Sequence, residues 1–517
     1  MTAHLNRVRD LTPLATLAPG EHETVAVRCP FNGQLLAELP IAAPSDLDHA
    51  FAIARAAQVE WAAVPIGERV RVFRQFRGLL LDRAEDVLDV MQMETGKARR
   101  HAFEELADVA LVCSYYCHVA PRLLRSRRSR GAVPGLTRTR EVRHPRGVVG
   151  VIAPWNYPLV LAVSDSLPAV LAGNAVVVKP DMQTTHTALA ALELLVEAGL
   201  PAGVFQVVPG DGPVAGAGVV DRADFVSFTG STETGRLVAE RAGGRLIGCS
   251  LELGGKNPMI VREDADLLRA VDGAIRGSFA NAGQLCIASE RIYVHESVFE
   301  TFLRAFVAGA QTLQLGAGFD YETDMGSLTC GHQLRKVADH VRDAVEKGAV
   351  VRTGGKARPD IGPLFFEPTE LTGVTSDMTI FAEETFGPAV SVYPFSSDDE
   401  AVRLANDSRY GLNASIWSTD VRFAESMARR IEAGSVNINE AYSAAWGSVD
   451  APMGGLKDSG TGRRHGAEGL LKFTESQTIA VQTGAALDLS SAWLKKKGAR
   501  RTVLEALKRY RPGSSRR

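Results

Sequence analysis

The sequence predicts an α/β fold in two parts, a parallel sheet covered by helices and then a second α/β domain. Three observations predict it. From residue 147 short β-rich runs, GVVGVIAP, NAVVVKP, GVFQVV and DFVSFTG, alternate with helix-favouring segments such as 187–198, the pattern left by parallel strands joined through crossover helices. After LELGGKNP the alternation restarts with DGAIRGSFANAGQLC, ERIYVHES, GAVVRTGG and GSVNINE, so the second α/β domain begins near residue 254. The length of 517 residues also far exceeds the roughly 150 of an average domain.

Ahead of the first sheet, across residues 46–97, apolar residues recur at helical spacing. Ala50, Ile53, Ala54, Ala57 and Trp61, then Val70, Phe73, Phe76 and Leu80, lie between charged side chains and read as scaffold helices. Ligands of an open parallel sheet sit beyond the C-terminal ends of its strands, which puts any cofactor near Pro154, Lys179 and Gly230. Residues 147–164 form an uncharged stretch of 18. Pro154, Asn156 and Pro158 interrupt it, so it reads as strand, turn and helix instead of a membrane span. No internal repeat of fixed period is visible.

Apolar residues make up 45% and charged ones 23% of the chain, as in ordinary globular proteins and unlike disordered or rod-like ones. With 58 basic and 60 acidic side chains the net charge is −2, which supplies no overall field to recruit nucleic acid. Cys29, Cys113, Cys117, Cys249, Cys286 and Cys330 show no disulfide spacing, and MTAHLNRVRDLTPL lacks the apolar core of a signal peptide, so the cytoplasm is expected. Cys113, Cys117 and His118 share helical spacing but lack a fourth ligand, and no metal is expected. Charge is nonetheless segregated. Residues 122–146 hold nine Arg and one acid, and residues 491–517 hold ten Lys or Arg and one acid. Docking on acidic surface of the same assembly is the first reading of these segments. A membrane-surface contact is the lesser one, because Trp493, Leu494, Val503, Leu504 and Leu507 punctuate the basic tail.

Four places carry candidate chemistry. Cys286 follows the polar turn of Asn281, Gly283 and Gln284, where a thiol can face a cleft, although a lone cysteine is more often an inert core residue. Glu252, apolar-flanked and next to a glycine pair, is a carboxylate that burial would push toward neutrality, fit to act as a base on water; a helix cap or an ion pair explains it equally well. Asn156 lies between two prolines, which hold its amide at a bend where it could donate to an oxyanion or serve only the turn. FTGSTETG places Gly230 and Ser231 between a strand and a helix start, where backbone N–H groups can meet phosphate. Its glycine spacing differs from the usual dinucleotide fingerprint.

Taken together, APWNYP, VVVKP, FTGSTETG, LELGGKNP, NAGQLC, EETFGP and PMGGLKDSGTGR stand in the order and spacing of the aldehyde dehydrogenase superfamily. The chain resembles that superfamily from about residue 25 to residue 482. Within it, AYSAAWGSVDAPMGG, GRRHGAEGLLKFTESQTIA and KPDMQT are most similar to the second type of bacterial NADP-dependent succinate-semialdehyde dehydrogenase.

The resemblance implies a Rossmann-like cofactor domain (1–127 and 147–253), a catalytic domain (254–440), a small bridging β-segment (128–146 and 470–482) that joins subunits into a homodimer or homotetramer, and a basic tail (483–517). It implies Cys286 as nucleophile, Asn156 with the Cys286 N–H as oxyanion donors, and Glu252 as the base that hydrolyses the thioester. Pro154 and Trp155 border the cofactor, Lys179 meets its adenosine ribose, Gly230 and Ser231 its pyrophosphate, Glu384 the nicotinamide ribose and Phe386 the space beside it. Many NAD-using relatives carry Glu three residues after the lysine, where it repels a 2′-phosphate; Met182 stands there, so NADP is expected, with NAD possible if Asp181 turns inward.

The implied substrate is succinate semialdehyde, but Ser164 and Ala280 occupy the places where better-known relatives carry carboxylate-binding arginines. Tyr157, Ser164, Leu285, Ile287, Trp446 and Met453 are expected instead to line a largely apolar tunnel, with Arg463 or Arg464 as a substitute charge. A broad dehydrogenase of uncharged aldehydes is the main alternative. A CoA-acylating enzyme would not need Glu252, and a non-catalytic membrane-surface protein would not need the cysteine, amide and carboxylate together.

Overall fold

The β-rich runs of the first half assemble into one six-stranded sheet, in a computed structural model that describes residues 9–131, 137–483, 490, 492 and 495–509. Its strands lie in the order Gly460–Thr461, Gly248–Glu252, Phe225–Thr229, Val148–Ile152, Ala175–Lys179 and Phe205–Val207. All are parallel except Gly460–Thr461, which runs antiparallel to Gly248–Glu252. Val148–Ile152 and Ala175–Lys179 are buried at every position, which is why they read as unbroken valine runs without alternation. From Val148–Ile152 the chain moves outward through Ala175–Lys179 to Phe205–Val207 and then returns to the other side with Phe225–Thr229. The switch point of the sheet therefore lies beyond the ends of Val148–Ile152 and Phe225–Thr229, where ligands of such sheets bind.

The helical spacing of residues 46–97 forms helices Pro44–Ala63, Ile66–Asp82 and Ala84–Thr95, followed by Arg99–Leu123. Ala50, Ala54, Trp61, Val70, Phe73, Phe76 and Leu80 are buried, while Ile53 and Ala57 are half-buried. Each large side chain withdrawn from water this way contributes about 1.5–3 kcal/mol. Trp61 also satisfies its indole N–H on the Val170 carbonyl at 2.8 Å. Cys113 and Cys117 face this core and donate to the carbonyls of Phe73 and Val70, whereas His118 is exposed.

The second alternation forms a seven-stranded sheet, Val350–Thr353, Thr369–Thr372, Ala389–Phe395, Ser289–His295, Asn257–Val261, Asn413–Trp417 and Ser435–Ile438 in spatial order. Only Val350–Thr353 is antiparallel to its neighbour. Both sheets belong to one compact unit, Met1–Leu124 with His144–Glu475. The expected boundary at residue 254 falls within this unit, between strand Gly248–Glu252 of the first sheet and strand Asn257–Val261 of the second. After the second sheet the chain crosses back, adds Gly460–Thr461 to the first sheet and donates from Ser459 Oγ to the Gly254 carbonyl at 2.7 Å.

The second unit, Arg125–Arg143 with Ser476–Arg517, is built on a three-stranded sheet in the order Thr474–Gln482, Thr137–Pro145, Arg127–Arg130. Arg127–Arg130 and Thr137–Pro145 pair antiparallel with Arg128 opposite Arg140. By compactness His144, Pro145 and Arg146 group with the first unit, as do residues 470–475, where helix Gly466–Leu471 ends. In the tail, residues 497–509 form a helix, Lys497–Arg509, with Leu504 exposed. Trp493 and Leu494, and the side chains of Val503 and Leu507, lie outside the described residues. Among the described residues no helix is long and apolar enough to cross a membrane.

Candidate active site

The thiol is set by a strained turn. Helix Leu267–Phe279 runs into the 3-10 turn Ala280–Gly283, and Cys286 follows just before strand Ser289–His295. Asn281 and Ala282 adopt φ of 51° and 54°, a left-handed conformation that costs a residue with a Cβ on the order of 1 kcal/mol or more. Polar contacts hold it in place. The Asn281 amide donates to the carbonyls of Asn156 and Gln284, each at 3.1 Å, and Gln284 Oε1 accepts from the Thr329 N–H at 2.9 Å. Gly283, at φ 71°, passes so close to the Gly387 carbonyl that a Cβ would lie 2.1 Å from its oxygen. The thiol turn and the loop of Glu384 and Phe386 are thereby locked together.

Cys286 is half-buried, and its carbonyl accepts from Asn257 Nδ2 at 2.8 Å. Burial pushes its thiol up to about 12, aided by the negative charges of Glu384 and Glu252 and opposed by Arg464. The sulfur is thus protonated at neutral pH and must lose that proton as it attacks. Asn156 is buried; one amide hydrogen donates to the Gln284 carbonyl at 3.2 Å, leaving the other for an oxyanion. Its carbonyl accepts from Lys97 Nζ at 2.8 Å. Lys97 is itself paired in the core with Glu105, whose other oxygen accepts from the N–H groups of Leu159 and Val160.

Glu252 ends strand Gly248–Glu252, is only 7% exposed, and its Oε1 has no hydrogen-bond partner. Burial raises its pKa to about 7, with Arg464 and then Lys472 as the main opposing charges. It is therefore poised between acid and base near neutrality.

The remaining candidates gather at the switch point of the first sheet. Pro154 and Trp155 follow strand Val148–Ile152 and are half-buried; the Trp155 ring meets Phe386 edge-on at 5.6 Å. Lys179 ends its strand with a buried side chain. Ser231 is exposed and caps helix Thr232–Gly244, accepting from the Thr234 N–H at 3.2 Å, and the Gly230 N–H donates to the Glu252 carbonyl. Glu384 Oε1 accepts from the Gly255 N–H at 2.8 Å; burial lifts its carboxyl to about 7. Met182 opens the turn Met182–Thr184, and Asp181 commits one oxygen to the Gln183 N–H at 3.0 Å. This set fits a dinucleotide: an ammonium and a carboxylate for ribose hydroxyls, N–H groups at a helix start for phosphate, and two rings beside the space leading to the thiol.

A narrow pocket leads to Cys286. Tyr157, Leu285, Ile287, Trp446 and Met453 line it as expected. Ser164 does not. The chain after Tyr157 forms a wide π turn, Val160–Ser164, which turns Ser164 into the core, where its hydroxyl donates to Asp108 Oδ2 at 3.2 Å. Val160, Leu161 and Tyr442 line the pocket too, and sequence patterning offered no cue for them beyond apolar character. Of the two arginines, Arg464 reaches the pocket, while Arg463 donates to the carbonyls of Gly455 and Gly462. Arg464 is paired with Asp165, Nε to Oδ1 at 2.9 Å.

Comparison with known proteins agrees with this geometry. The family model described as the aldehyde dehydrogenase family matches residues 17–479. A Mycobacterium tuberculosis protein with the provisional name NADP-dependent succinate-semialdehyde dehydrogenase 2 is 50% identical over 476 residues, 92% of each chain. A Methylomonas protein named 4,4'-diapolycopene aldehyde oxidase is 40% identical over 456 residues, 87% of this chain and 84% of that one. Among solved structures, the betaine aldehyde dehydrogenase of Staphylococcus aureus in complex with NAD+ superposes with a TM-score of 0.88 at 32% identity, covering 94% of this chain and 98% of that one. Matched by that family model over nearly its whole length, and by a relative of 50% identity over 92% of each chain, the chain belongs to the aldehyde dehydrogenase family.

Proposed function

We propose that the chain oxidises an aldehyde to its carboxylic acid by covalent catalysis at Cys286, with NADP as the hydride acceptor. The observation that carries this is one pocket lined by a thiol and an amide with a spare donor, with the buried carboxylate of Glu252, whose Oε1 is unbonded, near enough for its charge to act on that thiol. The Cys286 sulfur adds to the carbonyl carbon as its proton leaves, and the Asn156 amide with the Cys286 N–H donates to the oxyanion. A dinucleotide held by Lys179, Ser231 and Glu384 would supply the oxidant for that carbon, as an acceptor of hydride. Glu252 then takes a proton from water, whose oxygen adds to the thioester; the C–S bond breaks, the acid departs and the proton returns to the sulfur. A retained Glu252 argues for water over CoA as acyl acceptor. Met182 in the place of a repelling carboxylate, and an Asp181 tied to its own turn, favour NADP while leaving NAD usable.

The relative named above supports succinate semialdehyde as the leading substrate, and Arg464 is the cation lining the pocket that could meet its carboxylate. A second reading, an uncharged aldehyde, is favoured by one specific observation. Asp165 already pairs Arg464, and aromatic and aliphatic side chains make up most of the remaining wall. Steady-state kinetics with NADP on succinate semialdehyde and hexanal decide between them. A higher kcat/KM for succinate semialdehyde supports the first, and a higher value for hexanal replaces it with the second.

Two further points belong to the same reading. Strand Thr474–Gln482 is an edge strand with exposed side chains, suited to extending its sheet into another subunit of a homo-oligomer. All six cysteines are free, which supports a reducing compartment such as the cytoplasm.

A further inference from the structure

The segment that pairs with the strand of Glu252 also carries an ion pair that the catalytic steps above leave unused. Gly460 lies opposite Glu252, Thr461 opposite Leu251 and Gly462 against Ser250, so the segment starts beside the base and runs back along its strand. Arg464 is then fixed by a two-way backbone bridge to Met453, with N to O distances of 2.6 and 2.8 Å. The next residue, Gly454, lies against the base itself: a Cβ there would be 3.1 Å from Glu252 Oε1. Arg464 is buried; its Nε lies 2.9 Å from Asp165 Oδ1 as an ion pair, and neither Nε nor Nη2 has a hydrogen-bond partner. An isolated buried ion pair contributes little to stability, because desolvation of two charges offsets their attraction. A pair retained at this cost beside a catalytic base calls for another role.

We infer that Arg464 and Asp165 form a positioning pair that keeps the Glu252 carboxylate competent to draw a proton from water during hydrolysis of the acyl-enzyme. The inference rests on the assignment of Glu252 as that base. Arg464 stabilises the carboxylate form, and the negative charge of Asp165 opposes it. The other charged groups facing Glu252 are Arg463 on the same segment and Lys472 after helix Gly466–Leu471, whose Nζ donates to Ser250 Oγ at 3.1 Å; Asp108 of helix Arg99–Leu123 faces Arg464. Lys472 is half-buried and Arg464 buried, so solvent screens the guanidinium least.

The test needs neither aldehyde nor dinucleotide. Acetylating Cys286 with p-nitrophenyl acetate, desalting, and following loss of the acetyl group by intact mass isolates hydrolysis, with Cys286→Ala as background. In the unsubstituted protein the rate rises with pH through about 7. In Arg464→Gln the rise moves up by about one pH unit, leaving hydrolysis roughly tenfold slower on its acid side. In Asp165→Asn it moves down, and Arg464→Lys restores the original profile. Opposite shifts from the two partners are the signature, since general loosening of the site would move both alike. Unchanged profiles, or shifts in one direction, overturn the inference. If Arg464→Gln does not fold, the direction of the Asp165→Asn shift decides alone. A raised KM for succinate semialdehyde with unaltered deacetylation makes Arg464 a substrate anchor and also overturns it. If deacetylation behaves as stated while no aldehyde is oxidised, the proposed function fails and the ion-pair assignment stands.

Discussion

In the proposed mechanism Cys286 and Glu252 have different tasks in time, and their substitutions should separate. With Cys286→Ala no NADPH forms, because hydride transfer requires the covalent adduct. With Glu252→Gln the first equivalent of NADPH still appears in a rapid-mixing experiment, but steady turnover falls by about 10²–10⁴-fold; an unchanged steady rate would remove Glu252 from hydrolysis. Burial holds the carboxyl at about 7, so steady turnover declines as pH falls below neutrality and protons occupy the base. Local chemistry marked these places as candidates, a strand end before paired glycines, a bend between prolines and a polar turn, but left an inert reading open at each; the order and spacing of seven motifs supplied the roles. Ser164 and Arg464 were not legible in the same way. The orientation of the first depends on a π turn that hydropathy does not reveal, and the placing of the second on a bridge to Met453 eleven positions away.

Among elements, strand Thr369–Thr372 carries an anomaly. Glu370 is fully buried between neighbours of the seven-stranded sheet, neither carboxyl oxygen has a hydrogen-bond partner, and burial raises it to about 9. A carboxyl with a raised folded value holds its proton more tightly in the folded state. Its cost is therefore small below the ordinary value of 4.5 and grows as pH rises toward about 9. Glu370→Gln should raise stability at pH ~7 by about 2–3 kcal/mol, with little change at pH ~4, as read from denaturant midpoints. Equal midpoints at both pH values would show that the carboxyl is satisfied. Periodicity marks the strands themselves well, since a doubly covered parallel sheet leaves uninterrupted runs such as AVVVK. It does not mark the left-handed pair Asn281–Ala282, because alanine has no preference for that conformation and only the surrounding amides impose it.

For the molecule as a whole, the edge strand Thr474–Gln482 exposes Ile479 at 46% and Val481 at 43%, two apolar positions on a strand otherwise rich in polar residues. Ile479→Lys with Val481→Lys should convert the oligomer to smaller species in analytical ultracentrifugation, because charge on an unpaired edge opposes strand addition. A monomeric parent protein, or an unaltered oligomer, would exclude this edge as the contact. Topology ties the two sheets into one unit: β-rich runs reveal where sheets are made, and not that the chain will later return to the first sheet through Gly460–Thr461.

The wall around the incoming aldehyde has mixed origins. Tyr157 and Leu161 adjoin the oxyanion donor, and Leu285 and Ile287 flank the sulfur, so changing them disturbs the machinery. Trp446 comes from the short helix Ser443–Trp446, a stretch bearing neither nucleophile nor base nor cradle. That stretch is an exchangeable part, through which descendants of this scaffold can trade one fuel for another while the electron-harvesting apparatus stays as it is.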